Sequence, residues 1–119
     1  TLLRLAEQYL IKAEANANLE LPDSSIDDIN TIRKRAGLNE ISYGITKDSI
    51  LHLIENERRH EFFAESGHRW FDLKRTGEAS LILSGIKGSF WQQNDTLYPI
   101  PSDDIKRNSN LKQNPGYLN

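Results

Sequence analysis

Two apolar repeats separated by a helix breaker constrain this chain more than any other feature. Leu2, Leu3, Ala6, Tyr9, Leu10, Ala13 and Ala17 recur at spacings of three and four, with Arg4, Glu7, Lys12 and Glu14 on the other faces. Residues 2–20 therefore predict an amphipathic helix. Pro22-Asp23-Ser24-Ser25 interrupts the pattern and offers Ser24 or Ser25 as an N-cap. Ile26, Ile29 and Ile32 then repeat every third residue as far as Gly37, whose conformational freedom suits a helix stop. Two helices joined by a short turn form an antiparallel hairpin, and the small Ala13, Ala15 and Ala17 allow its backbones to approach closely. The hairpin, residues 1–37, is close to the roughly 34-residue period of tetratricopeptide repeats. A lone repeat leaves an apolar face uncovered, so this one must stack on the helix that follows or on a segment upstream.

Thr46 caps a predicted third helix with Asp48 in its first turn, where a carboxylate meets the positive end of the helix dipole. Ile50, Leu51, Leu53, Ile54, Phe62 and Phe63 supply its buried stripe, and the helix is expected to run to about Glu65 and stop at Ser66-Gly67. Residues 69–75 read as a short further helix with Trp70, Phe71 and Leu73 inward, closed by Thr76-Gly77. Residues 46–77 thus form a central helix and turn. Within 78–119, Leu81, Ile82, Leu83 and Ile86 fit either a short helix or a loop laid over apolar surface. Tyr98-Pro99-Ile100-Pro101 must be extended, because each proline pushes its predecessor out of the helical region. Ser102 caps one more helical turn, and the tail is rich in turn formers. The expected fold is mainly α: a tetratricopeptide-like hairpin, a long third helix and an irregular C-terminal segment with short extended stretches.

Composition narrows the function. A net charge of −2 provides no broad positive field for a phosphate backbone, so nucleic acid is disfavoured as a partner. The absence of cysteine excludes thiol catalysis, disulfides and thiolate metal sites. At 37% apolar and 27% charged, the chain is polar for a domain that hides its own core. It also starts at Thr1 inside an amphipathic pattern and is expected to be part of a longer protein, with any targeting signal upstream.

The densest chemistry lies in residues 55–77, where Glu55, Glu57, Glu61 and Glu65 share a few turns with Arg58, Arg59 and His60. Glu57-x-x-His60 and Glu65-x-x-His68 have the spacing of di-iron carboxylate ligands. However, they lie on one segment, about 12 Å apart in helical rise, whereas a two-metal site needs roughly 3.5–4 Å. His60-Glu61 opens like a zincin motif, but Ala64 stands where the second histidine belongs, so no metal or cofactor is assigned. Acid pairs for glycoside hydrolysis are cheap to find among seventeen acidic residues. Glu55 pairs most simply with Arg58 or Arg59 along the helix. Glu57, Glu61 and Glu65, at i, i+4 and i+8, repel one another unless cations from elsewhere meet them, and Arg33, Arg35, Arg69 and Lys74 are the candidates. These residues are read as an ion-pair clamp with no catalytic residue among them. Trp91, with Gln92 and Asn94 beside it, combines a ring with amides and is the candidate ligand-binding group, since rings stack on sugars and amides bond hydroxyls.

Three blocks carry a resemblance. They are Ile32-Arg33-Lys34-Arg35-Ala36-Gly37-Leu38; Glu57-Arg58-Arg59-His60-Glu61-Phe62-Phe63-Ala64-Glu65-Ser66-Gly67-His68-Arg69-Trp70-Phe71-Asp72-Leu73-Lys74-Arg75-Thr76-Gly77; and Tyr98-Pro99-Ile100-Pro101, leading to Asn108-Ser109-Asn110-Leu111-Lys112-Gln113-Asn114-Pro115-Gly116-Tyr117. In this order they are similar to the C-terminal region of the SusD/RagB family of outer-membrane nutrient-binding lipoproteins of Bacteroidetes. Ser66 stands where the family usually has Gly, and Ser109 where Pro is common. The resemblance implies a non-enzymatic protein several times longer, with tetratricopeptide-like helices in its amino-terminal half. It implies capture of glycans or other oligomeric nutrients at the cell surface, beside a SusC-type TonB-dependent transporter that it covers as a lid. Membrane attachment would be through an upstream lipid anchor outside this chain. The three blocks are family signatures of folding, and no ligand contact carries over from them. The competing readings are a helical-repeat interaction adaptor without a small-molecule ligand and, third, a glycosidase.

Overall fold

The computed structural model describes residues 4–65 and 67–118, so the places given above to Leu2, Leu3 and Ser66 lie outside the described residues. Among the described residues the chain is mainly helical and forms no strand. The helices are α1 (Leu5–Asn18), α2 (Pro22–Arg35), α3 (Lys47–Glu61), α4 (His68–Thr76), α5 (Ala79–Lys87) and α6 (Ser102–Arg107), with 3-10 turns at Gly88–Phe90 and Gln93–Thr96. Two compact units divide within α4, the first ending at Arg69 and the second beginning at Trp70. No helix among the described residues is long and apolar enough to cross a membrane.

The first unit is built on the α1–α2 hairpin with α3 against it. Ala13 and Ala17 meet Ile26 and Ile29 of α2 and Ile50 and Ile54 of α3 in one buried cluster; Ala6, Leu10, Ile32 and Phe62 form a second. Each fully buried isoleucine contributes about 1.5–3 kcal/mol. Ala15 is exposed, because it lies two residues from the Ala13–Ala17 pair and so on the opposite face. The hairpin starts its second helix earlier than the serines suggest. Pro22 occupies the first helical position after Leu21, where its missing N–H costs nothing and its φ fits. Ser25 is thereby released from capping and, fully buried, donates from Oγ to the Ala13 carbonyl at 2.7 Å. Asp28 is buried too and accepts from Lys12 Nζ at 2.8 Å and Asn16 Nδ2 at 3.0 Å. Its carboxylate raises the Lys12 pKa above the usual 10.5.

Both helices of the hairpin end in the same way. After α2, Gly37 takes φ +70°, its N–H bonds the Lys34 carbonyl and Leu38 bonds that of Arg33. After α1, Glu20 takes φ +60°, its N–H bonds Ala17 and Leu21 bonds Asn16. Each is a Schellman motif, the second with a residue that resists the left-handed region. Thr46 caps α3 by accepting from the Ser49 N–H at 3.3 Å. That helix stops at Glu61, sooner than its apolar pattern suggests. Phe62 leaves the helix to join the second cluster, while Ala64 at φ +57° and Gly67 at φ +73° turn the chain, leaving Phe63 78% exposed.

In the second unit, α4 buries Leu73 and Asp72 and ends at Thr76, before Gly77, while Phe71, about 100° around the helix from Asp72 and about 200° from Leu73, is 60% exposed. The glycine-bounded apolar run forms the helix α5, of which only Ala79 is buried. The proline-restricted stretch is extended at Leu97 and Pro101, and its backbone finds side chains where a strand would find a neighbour. Gln113 clasps Ile100 from both sides, accepting from its N–H at 2.7 Å and donating to its carbonyl at 2.9 Å. Asn114 donates to the Tyr98 carbonyl and Tyr117 to that of Leu97. Gly116, at φ +88°, lies so close to Asn94 that a Cβ there would meet the carboxamide.

Candidate functional site

In the first unit the acids of α3 meet cations from three directions. Glu57, 9% exposed at its side chain, pairs with Arg33 of α2, which also donates from Nε to the Asn39 carbonyl at 2.7 Å. One turn on, Glu61 pairs with Arg35 at 2.5 Å, which gives successive arginines on one helix successive glutamates on the next. Glu65 leaves that line and is met by Arg4 at 2.9 Å; Arg4 also donates to the Glu61 carbonyl at 2.8 Å. Arg69 pairs with Glu55 instead of with the 57–61–65 row.

Phe62 organises the remaining charge. Its ring stacks on His68 at 4.7 Å and 26°, with the Arg4 guanidinium 5.0 Å and the Arg58 guanidinium 5.3 Å from its centroid. Such contacts contribute roughly 0.5–2 kcal/mol each. Arg4 is therefore a central member of the junction that sequence reasoning missed. It precedes α1 and reaches across some sixty residues of chain, and no local spacing signals that. These acids are met by cations that join the residue before α1, the end of α2 and the start of α4 to α3 and the residues just after it.

The second unit carries the aromatic surface. Trp91 meets Trp70 edge-on at 6.4 Å and 85°, and its Nε1 donates to Ser80 Oγ at 3.4 Å. Lys87 Nζ lies 5.3 Å from the Trp91 ring, and Lys74 Nζ lies 5.2 Å from Trp70 and 5.9 Å from Phe71. Lys74 is thus held by rings and not by the glutamates. Gln92 is exposed and closes a capping box with Asp95 over the second 3-10 turn, while Asn94 lies beneath Gly116. Trp91, Gln92 and Asn94 are neighbours of an open depression of about 650 Å³ but do not line it. Phe71, Lys74, Ser80, Gln93 and Thr96 are among the residues that do, and none of these was singled out as a ligand contact.

The family model described as the SusD family matches residues 1–117. The chain belongs to the SusD family. Among its curated relatives, the starch-binding protein SusD of Bacteroides thetaiotaomicron is 35% identical over 98% of this chain and 21% of its own length. The SusD-like protein P38 of Formosa agariphila is 34% identical over 98% of the chain and 24% of its own. A SusD superfamily protein from Bacteroides vulgatus superposes with a TM-score of 0.83 at 32% identity, over 97% of this chain and 27% of that one. A SusD-like protein from Bacteroides fragilis gives 0.80 at 29% identity over 97% and 25%. The chain therefore spans about a quarter of the length of the SusD-family proteins that it matches, and the fold described above is a SusD-family fold over that quarter.

Proposed function

We propose that this chain is the C-terminal part of a nutrient-binding protein, with glycan as the nutrient, that sits on the outer face of the bacterial outer membrane. In that role it captures oligosaccharide without transforming it and passes it to a SusC-type TonB-dependent transporter, over which the whole protein acts as a lid. A lipid anchor upstream holds it to the membrane. The observation that carries this reading is the family match over residues 1–117, with a starch-binding protein among the relatives aligned over nearly the whole chain. Within that role, the Glu57, Glu61, Glu65, Arg33, Arg35 and Arg69 set, extended by Arg4 and Glu55, serves as a structural clamp. Trp91, Gln92 and Asn94 belong to a surface next to the ligand.

A glycan array probed with the full-length protein, paired with affinity purification from outer membranes, tests the reading. Binding of an oligosaccharide together with recovery of a TonB-dependent transporter supports it. A protein that recovers partners but binds no oligosaccharide is an interaction adaptor, the reading that the α1–α2 hairpin alone would favour.

A further inference from the structure

The depression in the second unit has a charge that its surroundings do not explain. Its lining includes the buried Leu73 and Ala79, and Phe71, a residue 60% exposed, also lines it. Ser80 and Thr96 hydroxyls and the Gln93 carboxamide supply groups that donate and accept hydrogen bonds. Lys74 and Arg75 complete the wall, and among the described residues no Asp or Glu lines it, in a chain whose net charge is −2. Arg75 shares the Asp72 carboxylate at 3.4 Å. Lys74, by contrast, has its ammonium against the faces of Trp70 and Phe71 and makes no ion pair among the described residues. Rings hold an ammonium by their quadrupole and leave its outward N–H groups available to an anion.

A space of about 650 Å³ with apolar residues and a few polar groups in its lining has the dimensions of a small-molecule site. An aromatic edge and hydroxyl partners suit a sugar ring, and the unneutralised cation beside them suits an anionic substituent on it. Resting on the glycan-binding reading, the geometry points to a subsite for an acidic oligosaccharide, one bearing a carboxylate or sulfate group. Phe71 takes the ring face, Gln93 and Thr96 the hydroxyls, and Lys74 the anion.

Calorimetric titration of the full-length protein with short oligogalacturonides, their fully methyl-esterified counterparts and short sulfated galactan oligomers tests this. The expected result is that a charged oligomer binds and its neutral counterpart binds at least about tenfold more weakly, the size of one charge-assisted hydrogen bond. Lys74→Gln should abolish that difference, Lys74→Arg should keep it, and Lys106→Gln, on α6 and outside the depression, should leave it unchanged. Raising salt should weaken the charged ligand selectively. Which charged oligomer binds distinguishes carboxylate from sulfate. Equal affinity for charged and neutral forms, or a Lys74→Gln protein that still discriminates, overturns the subsite while leaving glycan capture standing. So does a Lys74→Gln protein whose only change is lost stability, since the depression is then filled by the protein itself. If Lys74→Gln does not fold, salt-independent binding of the charged oligomer to the unaltered protein overturns the proposal. Absence of binding to any saccharide overturns both readings together.

Discussion

The two glutamates that face successive arginines of α2 are not equivalent. Glu57 and Arg33 are 9% and 19% exposed at their side chains, whereas Arg35, the partner of Glu61, is 57% exposed. Removing one member of a desolvated pair strands the other, while an exposed pair is screened by water. Glu57→Ala is therefore expected to destabilise the protein by about 3 kcal/mol. Truncating the exposed cation instead, Arg35→Ala, should cost no more than about 1 kcal/mol. Urea titration monitored by tryptophan fluorescence measures both, and equal losses would contradict the burial argument. The requirement for outside cations was legible in the i, i+4, i+8 row of like charges. Their identities were legible only in part, because Arg4 and the Arg69–Glu55 pair depend on how distant segments meet.

At the scale of elements, the hairpin was readable because its apolar residues recur with a helical period and its breakers are strong: proline at the start of α2, glycine after it. Where the competing signals were local, packing decided. Ser25 could cap, but a fully buried hydroxyl on the Ala13 carbonyl fixes the crossing of α1 on α2 instead. The end of α1 carries a cost that a substitution can relieve. Glu20→Gly removes the left-handed strain and should raise stability by roughly 1 kcal/mol. Thermal unfolding would register this as a higher midpoint; a lower one would mean that the Glu20 side chain makes up for its backbone. The tail was unreadable for the opposite reason. Gln113, Asn114 and Tyr117 lie in a tail rich in turn formers, and their bonds to residues 97–100 are non-local. Gln113→Ala leaves the half-buried Ile100 amide and carbonyl without their partner, a loss of about 1–3 kcal/mol locally. Hydrogen exchange at the Ile100 amide should accelerate in that variant, and unchanged protection would show that the clasp is dispensable.

For the whole molecule, the two units differ in what they expose. The first unit is held by an α-hairpin core and a belt of ion pairs, and it resembles a structural repeat more than a site. The second exposes rings and a cation around a depression, and most of α5 remains uncovered within the chain. Apolar surface of that kind signals contact with something further, whether ligand or polypeptide. The family was legible from three sequence blocks, whereas the depression in the second unit was not. A loop tryptophan draws attention by its type, but the depression beside it is assembled from α4, α5 and a 3-10 turn that meet only in the fold. In the proposed role the protein binds oligosaccharide and leaves it intact. Its most direct test is calorimetric titration of the full-length protein with an array-selected oligosaccharide, followed by an assay for new reducing ends in the same sample. Saturable binding with no new reducing ends is the predicted result. Release of reducing ends that is lost in Glu57→Gln or Glu61→Gln, or no binding to any glycan, would contradict it.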